Sequence, residues 1–350
     1  MKEKMRVGII GHFGAGLKLT DGQTIKTRVL ERELETATNW KLVKVDTYYR
    51  KNPVKLWWDA MVCLCSCKDI FVLLSGNGMR MLFPVLYLFA KVFKKNIYHD
   101  VIGSQLDRYV IQYPAFKSYL NSFRVNWVET GSMKEALEAV GVTNAIVMPN
   151  FKRLNVADLD SLPTTFAEPY RFCTFSRVMK EKGIEEAAAA VEAINTKAGR
   201  CVCTLDIYGK VDEAYTQRFE ELMAHASSAV QYRGMVPFDK SVEAIRDYYA
   251  LLFPTYWKGE GFAGTIIDAF SAGLPVIATD WNCNREVVEN MVNGILYPNE
   301  EIKDLESAIT WTIENPEQVT LMRKACINRA QQYQPDRHIP VMVQFVEAQR

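Results

Sequence analysis

The chain has no apolar run long enough to cross a bilayer. Its longest, Met79 to Phe93 (MRMLFPVLYLFAKVF), is interrupted by Arg80, Pro84 and Lys91 and falls short of the roughly 20 apolar residues that a spanning helix needs. A charge excess is missing as well. Lys and Arg number 42 against 41 Asp and Glu, a formal net charge of +1, which argues against nucleic acid as a partner. Met1 to Arg6 is charged and leads straight into the strand-like RVGII, so no secretory signal is expected and the chain is expected to stay in the cytoplasm. Cysteine has the wrong spacing for zinc. Cys63, Cys65 and Cys67 alternate, as do Cys201 and Cys203, and none stands in C-x2-C. Read as strand alternation, each set lies on one face as reduced, mostly core thiols, and no metal is expected. There is no short-period repeat and no low-complexity tract. The dinucleotide fingerprint is absent too: Gly11, Gly14 and Gly16 read G-x-x-G-x-G, the wrong order for G-x-G-x-x-G.

What is present fits two soluble domains. A length of 350 residues exceeds one typical domain, and 49% hydrophobic with 24% charged residues supplies two ordinary cores. Apolar strand-like runs alternate with helical runs through both halves, beginning with Val7 to Ile10 and resuming at Tyr170 to Phe175. That alternation predicts parallel sheets covered by helices on both faces, with ligands at the carboxyl ends of the strands. The fold class is α/β, two Rossmann-like domains facing each other across a cleft. Boundaries are expected at 1–151, a polar linker at 152–169 with two prolines, a second domain at 170–332, and a last helix at 333–350 that packs back on the first domain. The flank Lys91, Lys94 and Lys95 reads either as the basic edge of a helix lying on an anionic membrane surface or as the end of a buried packing helix. Trp57 and Trp58 belong to that same surface or to the core.

The most informative stretch is GEGFAGTIIDAFSAGLPVIATD, Gly259 to Asp280. LLFP (Leu251 to Pro254) reads as the end of a buried strand, Tyr256 to Gly261 as a loop, and Thr265 to Ala272 as a helix. Gly264 and Thr265 then lie at a helix N-terminus, where unpaired N–H groups and the helix dipole favour a diphosphate. Glu260 and Asp268 flank that cradle. Carboxylates repel phosphate, so they suit the hydroxyls of sugar and ribose. An ordinary strand–loop–helix unit with solvated acids has the same spacing.

Four segments in order resemble the retaining GT-B glycosyltransferases of family 4. EGFAGTIIDAFSAGLPVIAT matches the family's Glu, seven residues, Glu signature and continues through Arg285, Glu286 and Val287 to NGILYP at Asn293 to Pro298. FSRVMKEKG (Phe175 to Gly183) looks like the phosphate-binding segment, and DIYGKV (Asp206 to Val211) and YRGMVP (Tyr232 to Pro237) match two intervening strand ends. Two positions depart from the pattern: Asp268 replaces Glu, and Ser176 replaces Gly before Arg177.

By that resemblance, Arg177 and Lys182 bind the donor diphosphate, Glu260 the sugar and Asp268 the ribose. Gly209, Gly261, Phe262, Ala263, Gly264 and Thr265 line the donor, and backbone groups near Gly234 to Val236, Met235 among them, receive the base. Gly14, Ala15 and Gly16 approach the donor from the other domain. His99, at a strand end in NIYHDVIGS, orients a hydroxyl or, through its backbone carbonyl, stabilises positive charge at the anomeric carbon, unless it is a structural histidine. His12 and Asn150 fall on the acceptor side or hinge. The implied reaction is metal-independent and retaining, with no cofactor. It moves a sugar from a nucleotide-sugar, expected to be a UDP-sugar, to a glycan acceptor that is lipid-linked in surface polysaccharide synthesis. A peripheral membrane contact runs through 79–95. Glu260→Ala and Lys182→Ala are expected to lose transfer with the fold intact. A nicotinamide-dependent oxidoreductase and a non-catalytic scaffold of the same fold are the other readings.

Overall fold

The computed structural model describes residues 4–14, 16, 17, 21–48, 52–298 and 302–349. They form two units: Met1–Arg153 together with Tyr333–Arg350, and Leu154–Gln332. Each is built on one six-stranded parallel sheet.

In the first unit the strands are β1 (Arg6–Gly11), β2 (Lys41–Asp46), β3 (Asp69–Leu73), β4 (Asn96–Asp100), β5 (Val125–Val128) and β6 (Ala145–Val147). Their order is β2-β1-β3-β4-β5-β6, so chain direction across the sheet reverses between β1 and β3. β3, β4 and β5 are buried at every residue, as parallel strands covered on both faces must be. Three helices join the first strands. α1 (Gly22–Ala37) begins where the Asp21 carboxylate accepts the Thr24 N–H at 3.0 Å. α2 (Pro53–Ser66) opens with Asn52 as N-cap and a proline in its first turn. α3 (Gly76–Lys91) carries Pro84 inside it and buries Met79, Leu82, Phe83, Leu86 and Phe89. The chain's last helix, Pro335–Ala348, inserts Ile339, Met342 and Val346 into the core that holds Val7, Leu30, Phe71 and Trp127.

The cysteines correct the strand expectation. Cys63 and Cys65 lie on α2, with Cys63 buried and Cys65 exposed, and Cys67 is its C-cap. Alternation over five residues cannot outweigh the Asn52 cap and first-turn proline that open a 14-residue helix. Of Cys201 and Cys203, only Cys203 lies in a strand and is buried.

The second unit contains β7 (Tyr170–Phe175), β8 (Cys203–Tyr208), β9 (Val230–Gly234), β10 (Ala250–Phe253), β11 (Val276–Thr279) and β12 (Gly294–Tyr297). The order β12-β11-β10-β7-β8-β9 puts its reversal between β7 and β10, which pair in parallel through Phe172 with Ala250 and Cys173 with Leu251. A crevice at the carboxyl ends of two such strands is where ligands of open α/β sheets bind. From Leu154 onward the stretch expected as a linker packs on this unit: Leu154 and Leu162 are buried, and the Ala157 N–H donates to the Ser271 carbonyl at 2.8 Å. Its prolines and polar residues describe an irregular path, not a detached one.

Candidate functional site

The reversal between β7 and β10 brings two separate loops together. β7 runs into the 3-10 turn Lys180–Lys182, which ends at Gly183 with φ +72° before the helix Ile184–Ala198. A Cβ on Gly183 would stand 2.2 Å from the Pro254 carbonyl oxygen, so only glycine lets this turn approach the end of β10. The two loops are stitched by main chain: the Tyr256 N–H donates to the Glu181 carbonyl at 2.9 Å, with the Thr255 hydroxyl oxygen 3.2 Å from that same carbonyl.

That approach closes a buried ion pair between Lys182 and Glu260. Lys182 is 9% and Glu260 5% exposed. The Thr255 hydroxyl donates to the same Glu260 oxygen at 2.8 Å, and the Lys182 ammonium lies 5.4 Å from the Phe253 ring centre and 5.2 Å from that of Trp257. Desolvated charges of this kind persist only when paired and hydrogen-bonded. The loop carrying Glu260 is held from β11: the Trp281 indole N–H donates to the Trp257 carbonyl at 3.0 Å, and the Asn282 amide reaches the carbonyls of Trp257, Lys258 and Glu260 at 3.3 to 3.4 Å.

Beyond the loop, the helix Gly264–Ser271 starts at Ala263. No side chain caps it, so its first N–H groups are available to an anion. The Thr265 hydroxyl donates to the Phe175 carbonyl at the end of β7, fixing this N-terminus against the turn that carries Lys182. Asp268 lies one turn in, buried, accepting from the Ser241 hydroxyl at 2.7 Å. Phe262 is buried, whereas Gly261, Ala263 and Gly264 are half-exposed. Arg177 is about half-exposed, 3.6 Å from Asp212. Gly209 has φ +139°, and a Cβ there would meet the Ser176 carbonyl oxygen at 1.8 Å; its N–H donates to Gly234 at 2.8 Å. Met235 is exposed and Val236 half-exposed beside that turn. Among the described residues no group of three His, Cys, Asp or Glu side chains is placed to hold a metal ion.

The remaining residues lie in the first unit. Ala15 lies outside the described residues. Gly14 and Gly16 have φ +61° and +76°, and the loop is held by the Asp46 carboxylate, which accepts the N–H groups of Phe13 and Gly14 at 2.9 and 3.2 Å. His12 Nδ1 is 2.7 Å from the Thr24 hydroxyl, and Asn150 is half-exposed. For His99 the side-chain reading requires a correction, and the reading through its backbone carbonyl does not. Its ring is fully buried, Nδ1 3.0 Å from Asn126 Oδ1, with Phe83 and Phe123 edge-on to it. Burial, set against the Asn126 bond, pushes its pKa down to about 4. A strand-end histidine looked accessible in sequence because nothing there reveals which way its side chain points; the ring as placed cannot touch a substrate.

Next to it is a cluster that sequence reasoning missed. The Lys26 ammonium lies 2.8 Å from Asp100 and 2.9 Å from Glu129 and donates to the Val101 carbonyl at 3.0 Å. Burial lowers the Lys26 pKa, but the two carboxylates overcome it and the net shift is upward. Burial raises that of Asp100. Three charges from 26, 100 and 129 carry no sequence signal, since only the sheet order makes them neighbours. Asn282, also missed, had a faint one: a residue tolerant of φ > 0 just beyond the end of β11.

Residues 169–315, which include Lys182, Glu260 and Asp268, match the family model described as Glycosyl transferases group 1. A UDP-N-acetylglucosamine–peptide N-acetylglucosaminyltransferase GtfA subunit of Streptococcus gordonii is 29% identical over 51% of this chain and 35% of its own length. The chain therefore spans about a third of that relative. An uncharacterized glycosyltransferase of Methanocaldococcus jannaschii is 23% identical over 65% of this chain and 62% of its own. Among solved structures, sucrose-phosphate synthase from Thermosynechococcus elongatus superposes with a TM-score of 0.73 at 16% identity, covering 99% of both chains. HepE of Anabaena, solved with UDP and glucose, gives 0.71 at 14% identity over 98% of this chain and 99% of its own. The chain thus has the GT-B fold, and its second unit carries a segment matching glycosyl transferases group 1.

Proposed function

We propose that the chain is a retaining glycosyltransferase of family 4 that moves a sugar from a UDP-sugar to a glycan acceptor. The observation that carries this reading is the buried Lys182–Glu260 pair at the β7/β10 reversal, beside an uncapped helix N-terminus with Asp268 one turn inside. In the proposed ligand complex the diphosphate takes the Lys182 ammonium and the N–H groups of Gly264 and Thr265, with Arg177 at the rim. Glu260, released from Lys182, turns to the sugar hydroxyls, and Asp268 accepts from the ribose. As the C1–O bond breaks, negative charge grows on the β-phosphate, and these cations and the helix N-terminus stabilise it with no metal required. The departing phosphate oxygen takes the proton of the acceptor hydroxyl as that hydroxyl's oxygen bonds to C1 on the face the phosphate leaves, which retains configuration. The buried His99 ring is given no part in this chemistry, which leaves the His99 backbone carbonyl as the group to stabilise positive charge at the anomeric carbon.

Support for UDP comes from the neighbours: HepE is solved with UDP-glucose, and the pneumococcal O-GlcNAc transferase GtfA with UDP and GlcNAc. The acceptor is assigned as a lipid-linked glycan of surface polysaccharide synthesis, a reading supported by the apolar helix faces of the first unit described below.

Calorimetry against UDP, GDP, ADP, CMP, their sugar conjugates and NAD, in EDTA, tests the proposal. UDP binding that weakens at least about tenfold in Arg177→Ala, whose exposed side chain leaves the fold alone, is the expected result. NAD binding alone would overturn it in favour of an oxidoreductase, and silence from every ligand would favour a scaffold. The anomeric configuration of the product, read by NMR, tests retention.

A further inference from the structure

A surface helix of a water-soluble protein normally has one apolar stripe facing the core and a polar opposite face. α2 breaks that rule. Leu56, Ala60, Cys63 and Leu64 point inward, and the outward stripe is apolar too: Val54, Trp57, Trp58, Met61 and Val62 are all exposed, Val54 at 77% and Trp58 at 71%. The only charges on the helix are Lys55 and Asp59, paired with each other at 2.5 Å.

α3 extends the same surface. Lys95, just past its end, donates to the carbonyls of Cys65 and Cys67 at 3.3 and 2.7 Å, tying the two helix ends together. Leu88, Val92 and Phe93 are exposed there, interspersed with the exposed Lys91 and Lys94. The charge is one-sided. Residues 52–96 hold six cations and two carboxylates in a chain of net charge +1, and of those carboxylates Asp59 is paired and Asp69 fully buried.

We infer that the outward faces of α2 and the end of α3 form a docking surface for an anionic lipid bilayer. Each component fits that occupant. Paired tryptophans prefer the headgroup boundary, where an apolar ring and a polar N–H are both satisfied. Leu88, Val92 and Phe93 enter the acyl edge, and the lysines meet acidic headgroups. The contact is interfacial, since no helix among the described residues is long and apolar enough to cross a membrane. It differs from the span 79–95 expected from sequence: five residues of that span are committed to the core, and α2 supplies most of the exposed apolar surface.

Co-sedimentation of the full chain with vesicles tests this without any sugar present, so it stands or falls separately from the transferase reading. The chain is expected to bind vesicles of phosphatidylglycerol and phosphatidylcholine in equal parts and to leave pure phosphatidylcholine largely unbound. Trp58→Ser/Phe93→Ser should weaken binding at least about tenfold, and Lys91→Ala/Lys94→Ala by about fivefold per lysine, a loss that added salt reproduces in the parent chain. All four side chains are exposed, and an unchanged melting temperature confirms that the variants fold. Indifference to lipid charge, equal binding by both variants, or no sedimentation of the parent chain would overturn the inference. A concentration-dependent dimer that Trp58→Ser/Phe93→Ser abolishes, with no vesicle binding, would assign the face to a second copy instead.

Discussion

At the residue scale the buried ion pair changes an expectation. Exposed catalytic charges can be removed without structural cost, but Lys182 and Glu260 are both desolvated, so removing either leaves the other uncompensated. Lys182→Ala and Glu260→Ala are each expected to lower unfolding free energy by about 3–5 kcal/mol, measured in urea. The neutral pair Lys182→Met/Glu260→Gln should recover most of that loss while abolishing donor binding. Gly209 shows a different dependence, on space. With φ +139° and a backbone oxygen 1.8 Å from any Cβ, Gly209→Ala should cost roughly 3 kcal/mol. His99 sets a pH response. Its pKa is about 4 in the folded chain against the ordinary 6.5 of a histidine, so the unfolded chain binds the extra proton first. Stability from this group is complete above pH 6.5 and is lost as pH falls toward 4, by about 3 kcal/mol. The difference in stability between the parent and His99→Phe, followed by urea titration from pH 7 to 4, should shrink by that amount.

Among the elements, α1 rests on its first turn. The Asp21 carboxylate accepts from the Thr24 N–H and, at 2.7 Å, from the Thr24 hydroxyl. Asp21→Ala should therefore cost about 1 kcal/mol, and Asp21→Asn about half of it, seen as a shift in the urea midpoint. Elements also show where legibility stops. Strands such as β1, β3, β7, β8 and β10 and the helix after Gly264 were readable from their apolar runs, whereas β12 was met only inside NGILYP and not as a strand. α2 was not, because a helix apolar on both faces has no 3.6-residue periodicity and its cysteines imitate a strand. At the site, Glu260 and Asp268 could be found by spacing within one segment, whereas the Lys182–Glu260 pair joins positions 78 apart, a contact that only the β7/β10 adjacency creates.

For the whole molecule, two separate cores imply two separate transitions. Removing 333–350 takes Ile339, Met342 and Val346 out of the first core and removes no residue of the second unit. Calorimetry of that truncation should show one transition moved down by more than ten degrees or lost, and the other preserved; simultaneous loss of both would mean the units are not independent. The return of the last helix also has a meaning in time. On the ribosome about 180 residues separate Arg153 from Tyr333, roughly ten to forty seconds of synthesis at about 5–20 residues per second. The unit made first must wait through that interval with part of its core unfilled, so the second unit completes its fold before the first does. Protease pulses on chains stalled before residue 333 should cut the earlier unit and spare the later one.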